Sequence, residues 1–394
     1  MKPADANPLP SDWPPELRLL VAHLRLALGT GAPADLEPAR QPVDWAAWLR
    51  WVERHRVGGF LNHHLPPDNR EQLPDESRRA LAGSARKTAR LALARAGELV
   101  RLTRLLAAAG VPCISVKGPL LARAIYGDLG QRHAGDLDLL IAPESLARAD
   151  AALRAAGLRR SQPDFELTPR QWREFQRLKH ECEYFHDAAG VRVELEWQLA
   201  GLPRFDFAAE WPRAEPVELG GARVRRLRPE LEFLYLFTHG AGHGWFRLFW
   251  LVDVARVLQR DDVDWRALMD AARANRAERC VWQGAWLADS LLGVPVPEAL
   301  RTPAAHADRV RRLGLAARRM MGATADEPKR VAELFRETAY QLRLRATWAG
   351  RAAVLRPRLM SPANWKMLRL PDRWFALYYV AGPFLWLRRR ARRR

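Results

Sequence analysis

Apolar positions in the first hundred residues recur at helical spacing. PELRLLVAHLRLAL, DWAAWLRWVERHRVGGFLNHHL and ESRRALAGSARKTARLALARAGELVRLTRLLAAAG each read as helix. In the last, Leu91, Leu99, Leu102 and Leu106 fall at helical spacing and Gly110 supplies a stop. The period then changes. VPCISV (111–116) predicts a short strand, followed by the turn Lys117-Gly118-Pro119 and a helix, LLARAIYG. DLDLLI (136–141) alternates polar and apolar residues, which predicts a half-buried strand. PESLARADAALRAAG reads as helix, with Pro143 near its start and Gly157 past its end. CEYFHD (182–187), a turn at Ala189-Gly190 and VRVELEW (191–197) predict a hairpin. From Pro229 onward the chain reads as helical, with Pro-rich breaks near 295–303 and 356–371. The pattern as a whole predicts an α+β protein. A small mixed β-sheet core (86–226) is flanked by an N-terminal helical region (1–85) and a C-terminal one with a basic tail (227–394).

Composition adds a packed globular chain. Of 394 residues, 48% are hydrophobic and 16 are Trp, which excludes extended disorder. The formal charge of +19 favours anionic partners, but 58 of the 64 basic residues are Arg, a bias that genome composition alone produces. Cys113, Cys182 and Cys280 are far apart, fit no metal spacing and suggest no disulfide framework, as expected of a reducing cytoplasm. The polar, Pro-rich start MKPADANPLPSDWPPEL is not expected to be a signal peptide. No run of 18 apolar residues predicts a spanning helix.

The candidate chemistry lies in the strands. Asp136 and Asp138 occupy positions i and i+2, so a strand projects both carboxylates from one face. Adjacent like charges repel and favour a cation between them. Oxygen donors suit Mg²⁺ or Mn²⁺, and a two-metal site needs a third carboxylate from a neighbouring strand. VRVELEW offers Glu194 and Glu196, alternating with Val193, Leu195 and Trp197. Upstream, ISVKGP runs a strand through a glycine turn into a helix start, a cradle for anions. There Gly118 permits close approach of an anion, and Lys117 is a candidate phosphate ligand. Arg132, four residues before Asp136, is another.

A strand, glycine turn and helix, then Asp-x-Asp, then a strand carrying another acid, resembles the DNA polymerase beta-like nucleotidyltransferase superfamily. Three segments resemble more narrowly a bacterial family of uncharacterised nucleotidyltransferases. They are VPCISVKGPLLARAIYGDLGQRHAGDLDLLI, VRVELEWQL and PELEFLYLFTHGAGHGWFRLFWLVDVARVL. The resemblance implies Asp136 and Asp138 as metal ligands, Glu194 as the third acid and Gly118 in the nucleotide-binding turn. Two departures stand out. The turn is Gly-Pro where the superfamily has Gly-Gly or Gly-Ser, so no hydroxyl is offered at Pro119. Glu196 stands where the family usually has His, so either glutamate is a candidate third ligand. The gap from Gly118 to Asp136 is longer than the superfamily norm, a feature the family shares. The implied activity is metal-dependent transfer of a nucleoside monophosphate from an NTP to an unknown acceptor, with pyrophosphate release. The acceptor is a small molecule, peptide, protein or RNA.

Two segments lie outside this scheme. His239, His243, Phe246, Trp250 and Asp253 would share a face on one continuous helix, but Gly240, Gly242 and Gly244 interrupt it. Helix packing is the expected role; Arg247 and this stripe are otherwise candidates to lean over the site. The C-terminus, WFALYYVAGPFLWLRRRARRR, is too short to span a bilayer and is expected to pack on the core, or to rest peripherally on the anionic inner membrane. The competing functional readings are a catalytically degenerate nucleotide-binding or assembly protein of a biosynthetic cluster, and a basic membrane-surface or RNA-binding protein.

Overall fold

A computed structural model of the chain describes residues 9–31, 36, 42–323 and 331–391; the first eight residues of the polar start and the last three arginines of the tail lie outside them. Seven strands form one mixed sheet: β1 (Cys113–Val116), β2 (Leu137–Ile141), β3 (Arg159–Gln162), β4 (Glu181–His186), β5 (Val191–Glu196), β6 (Glu215–Leu219) and β7 (Ala222–Arg226). Their order is β3-β4-β5-β2-β1-β7-β6. The pairs β2–β5 and β1–β7 are parallel, and the other four are antiparallel. Helical segments flank the sheet in sequence on both sides, as the pattern predicts.

The long helix is Asp75–Ala108, and it runs through position 85/86, where the first regional boundary was expected. Its Leu99, Leu102 and Leu106 pack with Leu137, Leu139 and Ile141 of β2 and with Val193 and Leu195 of β5. Leu140 of β2 belongs instead to a second apolar cluster, with Ile114 and Val116 of β1 and Leu231, Leu234 and Phe237 of helix Pro229–Gly242. Helices thus cover both faces of the central strands, which explains why β2 is buried at every residue rather than at alternate ones. Each leucine so enclosed contributes roughly 1.5–3 kcal/mol relative to an exposed one. Asp138 shares a face with Leu140 and so lies beneath helix Pro229–Gly242.

That helix stops at Gly242, and the chain turns through Gly244 and Trp245, both at positive φ, before helix Leu248–Leu258. Trp245 decides the geometry of the turn. Its fully buried ring lies against Gly240 and Gly284, where an added Cβ would come within 2.3 Å and 2.9 Å of it. Its Nε1 donates to Gln283 Oε1 at 3.3 Å. Tyr340 Oη donates to the Ala241 carbonyl at 2.8 Å, fastening helix Val331–Leu344 to the same turn.

The C-terminal helix, Leu377–Ala391, is held at its start by Phe375 and Tyr378, which are buried with Trp365. Leu377, Val380 and Phe384 are exposed. Among the described residues, no helix is long and apolar enough to cross a membrane.

Candidate active site

Strand register assembles the acids. Asp138 lies opposite Glu194 across the parallel β2–β5 pair, and Glu194 lies opposite Glu183 of β4. One step along, Glu196 lies opposite Glu181. Residues two apart share a face, so this surface of the sheet is acidic over three strands. Asp138, Glu194 and Glu196 each present a carboxylate oxygen within 4.8 Å of the others. Asp136 is not in this triad. It sits in the bend just before β2 and lines the same cavity; its carboxylate is 40% exposed and lies 3.8 Å from Arg192 Nε.

The crowding shows in the proton affinities. Burial, then the charges of Asp138 and Glu181, pushes Glu194 up to about 10. Burial and then Asp138 raise Glu196 well above the usual carboxylate range. Burial and then Asp138 also raise Asp136, against the pull of Arg192. Glu196 accepts from Tyr235 Oη at 3.4 Å through Oε1, but its Oε2 is buried with no hydrogen-bond partner. A buried, orphaned carboxylate oxygen facing two further carboxylates is a donor set that suits a hard divalent cation. The residues present therefore fit a divalent metal ion.

Lys117 supplies countercharge. Its Nζ lies 3.4 Å from Asp138 Oδ1, 3.4 Å from His239 Nδ1 and 5.0 Å from the centre of the Tyr235 ring. Burial works against its charge, yet Asp138, Glu196 and Glu194 outweigh it and raise its pKa. Lys117 and Gly118 both have φ of 56°, and a Cβ at Gly118 would meet no atom within 4 Å. The turn thus leaves open space beside the backbone at Gly118, on the cavity wall. Arg132 is 6% exposed, and its Nε donates to Asp253 Oδ2 at 2.9 Å; Tyr126 Oη donates to the other oxygen of Asp253 at 2.8 Å. Arg132 reaches the cavity wall, but this buried network takes one side of its guanidinium.

These groups line a cavity of about 480 Å³. Part of its wall is aromatic. His239, His243, Phe246 and Trp250 meet there with ring centres 4.6–5.5 Å apart in the closest pairs, although two helices and a turn carry them. Burial and then Lys117 hold His239 well below the usual imidazole value, and the same causes hold His243 at about 4. Both shifts favour the neutral imidazole. Sequence reasoning missed Glu181, Glu183 and Arg56. The two glutamates repeat the acid-x-acid spacing of Glu194 and Glu196 across the hairpin, so pairing the strands would have found them.

The matched span brings these parts together. The model of the uncharacterised nucleotidyltransferase family matches residues 41–293. The chain belongs to this family. No curated protein and no solved structure matches the chain. The span of this nucleotidyltransferase-family protein includes the sheet, the glycine turn and the helices that carry Arg56, His239 and Asp253. Family membership supports nucleotidyl transfer as its general function.

Proposed function

We propose that the protein transfers a nucleoside monophosphate from an NTP to an acceptor and releases pyrophosphate. The observation that carries this reading is the convergence of Asp138, Glu194 and Glu196 within 4.8 Å, with Glu196 Oε2 unpartnered. These three would hold a divalent cation, with Asp136 at the rim as a further oxygen donor. When bound, Mg²⁺ or Mn²⁺ neutralises phosphate charge and lowers the pKa of the attacking oxygen.

The chain's own residues do the rest. The Lys117-Gly118 turn brings backbone against the nucleotide, and Lys117 exchanges part of its contact with Asp138 for a phosphate oxygen. Arg132 steadies the same phosphates from the wall. The acceptor oxygen forms a bond to the α-phosphorus, the bond from that phosphorus to the β-phosphate oxygen breaks, and Glu194, which would be ionised once a cation offsets the neighbouring carboxylates, takes the acceptor's proton. The stacked rings of His243 and Trp250, with His239 edge-on to Trp250, offer an aromatic surface to a base or to the acceptor. We read residues 86–226 as the catalytic core and the remainder as flanks. We place the protein in the cytoplasm, a setting that its three free, buried thiols suit. The exposed Leu377, Val380 and Phe384 beside the arginine tail support a peripheral membrane contact.

The test is transfer of label from each α-labelled NTP, with Mg²⁺ or Mn²⁺, to small-molecule extract, peptide, RNA or the protein itself. Asp138→Asn should fold and lose transfer. A folded Asp138→Asn protein with full activity would sink the mechanism. Pro119, which offers no hydroxyl in the turn, favours the alternative of a nucleotide-binding protein without turnover. Tight NTP binding with no transfer to any acceptor class would select that alternative.

A further inference from the structure

The cavity has a second charged wall, built from outside the sheet. Helix Trp45–His55 ends at Arg56 in the left-handed conformation (φ 57°), which turns the chain sharply. The preceding side chain, His55, is fully buried, and its Nδ1 accepts from the Leu248 N–H at 3.1 Å. That bond staples the Arg56 turn to the start of helix Leu248–Leu258, where Arg247 stands. Two arginines separated by 191 positions are thereby brought to one side of the cavity.

Both are half-buried, and among the described residues neither has an ion-pair partner within 4.0 Å. Arg247 only rests on the Phe246 ring, 5.0 Å from its centre. Arg95 adds a third guanidinium nearby, fixed by bonds to the Gly135 and Leu91 carbonyls. Asp136 is the one carboxylate that favours the charge of all three, and Arg192 already pairs with it. Burial and then the charges of Arg56 and Arg54 bring Arg247 down to about 10. His133, in their midst, is held at about 3 by burial and then by Arg56, Arg132, Arg95 and Arg247. Half-buried guanidiniums that repel one another on one wall of a cavity lack an anion. Solvated surface arginines would spread apart; these two are held together by the buried His55–Leu248 bond.

We infer that Arg56 and Arg247 hold the β- and γ-phosphates of the nucleotide, so that the helical flanks complete the active site; this rests on the NTP donor proposed above. A polyphosphate fits better than a single phosphate, because one carboxylate stands against several guanidiniums. The forked geometry of arginine also suits bidentate contact with adjacent phosphate oxygens.

The experiment is calorimetric titration of the full chain with inorganic tripolyphosphate in Mg²⁺, an anion the protein cannot turn over. Arg56→Gln/Arg247→Gln should weaken binding by about tenfold or more while leaving the unfolding midpoint near that of the parent. Arg56→Lys/Arg247→Lys should recover part of the loss, and parental binding should fall steeply with salt. Binding by the glutamine pair within about twofold of the parent would overturn the inference. So would parental binding of tripolyphosphate no tighter than of inorganic phosphate, which would assign these arginines to an acceptor phosphate. Arginine-dependent tripolyphosphate binding in a protein that transfers no label leaves this inference standing and removes the proposed reaction. Label transfer by a protein whose tripolyphosphate binding ignores both arginines does the reverse.

Discussion

Glu194→Gln should make the metal-free protein more stable and abolish its stabilisation by Mg²⁺. The structure gives the magnitude in two ways. Carboxylate oxygens of Asp138, Glu194 and Glu196 lie within 4.8 Å of one another. At an effective dielectric constant of about 20, two unit charges at that separation repel by about 3.5 kcal/mol. Proton linkage gives a similar figure. Glu194 has an ordinary value of 4.5 and is pushed up to about 10 in the fold. A carboxyl raised in this way contributes stability below pH 4.5 and loses it as the pH rises towards its folded value. At about 1.4 kcal/mol per pH unit, the loss reaches about 4 kcal/mol at pH 7.5. Partial exposure to the cavity screens the group, so roughly 2–3 kcal/mol is the expected net effect. An amide has no such cost and can donate to Asp138. Urea denaturation in EDTA should therefore show the variant nearly equal to the parent at pH 5 and more stable at pH 7.5. Added Mg²⁺ should stabilise the parent, by about 2.7 kcal/mol at a hundred times its Kd, and leave the variant unmoved. A variant that is less stable at pH 7.5 and keeps the full Mg²⁺ response would refute the assignment of this cluster as a metal site.

Two other buried groups give independent checks. Glu232 is fully buried beside Arg226, 3.3 Å away, and burial lifts its pKa from 4.5 to about 7. Its contribution is present below pH 4.5 and lost by about pH 7, a decline of about 3 kcal/mol. Glu232→Gln should thus gain on the parent across pH 5–8 in chemical denaturation, and a pH-independent difference would contradict this. Gly240→Ala drives a methyl group to 2.3 Å from the Trp245 ring. It should destabilise the fold by roughly 1–3 kcal/mol, read as a lower melting temperature; an unchanged value would mean that Trp245 is not seated there.

Much of the fold was legible because its signals are local. The 34-residue helix Asp75–Ala108 carries its leucines at helical spacing, and β4 and β5 alternate cleanly around a glycine turn. The edge strand β3 and the β6–β7 hairpin were not recognised. ARVRR and EPVEL have few apolar residues and contain a proline or several arginines, so nothing in them exceeds loop composition. Strand β2 reads as half-buried because Asp138 interrupts its apolar run; that a second helical layer covers the acid's own face depends on residues a hundred positions away. The same limit applies to the site. Asp138, Glu194, Glu196, Lys117 and Gly118 were identified from spacing, and all line one cavity. Arg247 was a candidate only through its place beside the histidine stripe, and Arg56 carries no local signal among 58 arginines, since a hydrogen bond spanning 193 positions brings them together.

The division of charge inside the cavity argues for one ligand rather than two separate sites. A wall of carboxylates alone would attract a cation and repel a nucleotide. A wall of guanidiniums alone would attract any phosphate and give it no reactive partner. Here the acids of β2, β4 and β5 face the same space as Arg56 and Arg247, with Asp136 between them and Lys117 placed against Asp138. A metal–polyphosphate complex has the matching polarity, with its cation at one end of the phosphate chain and uncompensated oxygens towards the other. Binding such a complex would relieve repulsion on both walls at once, whereas either component alone would relieve only one. Metal and polyphosphate should therefore each tighten the binding of the other.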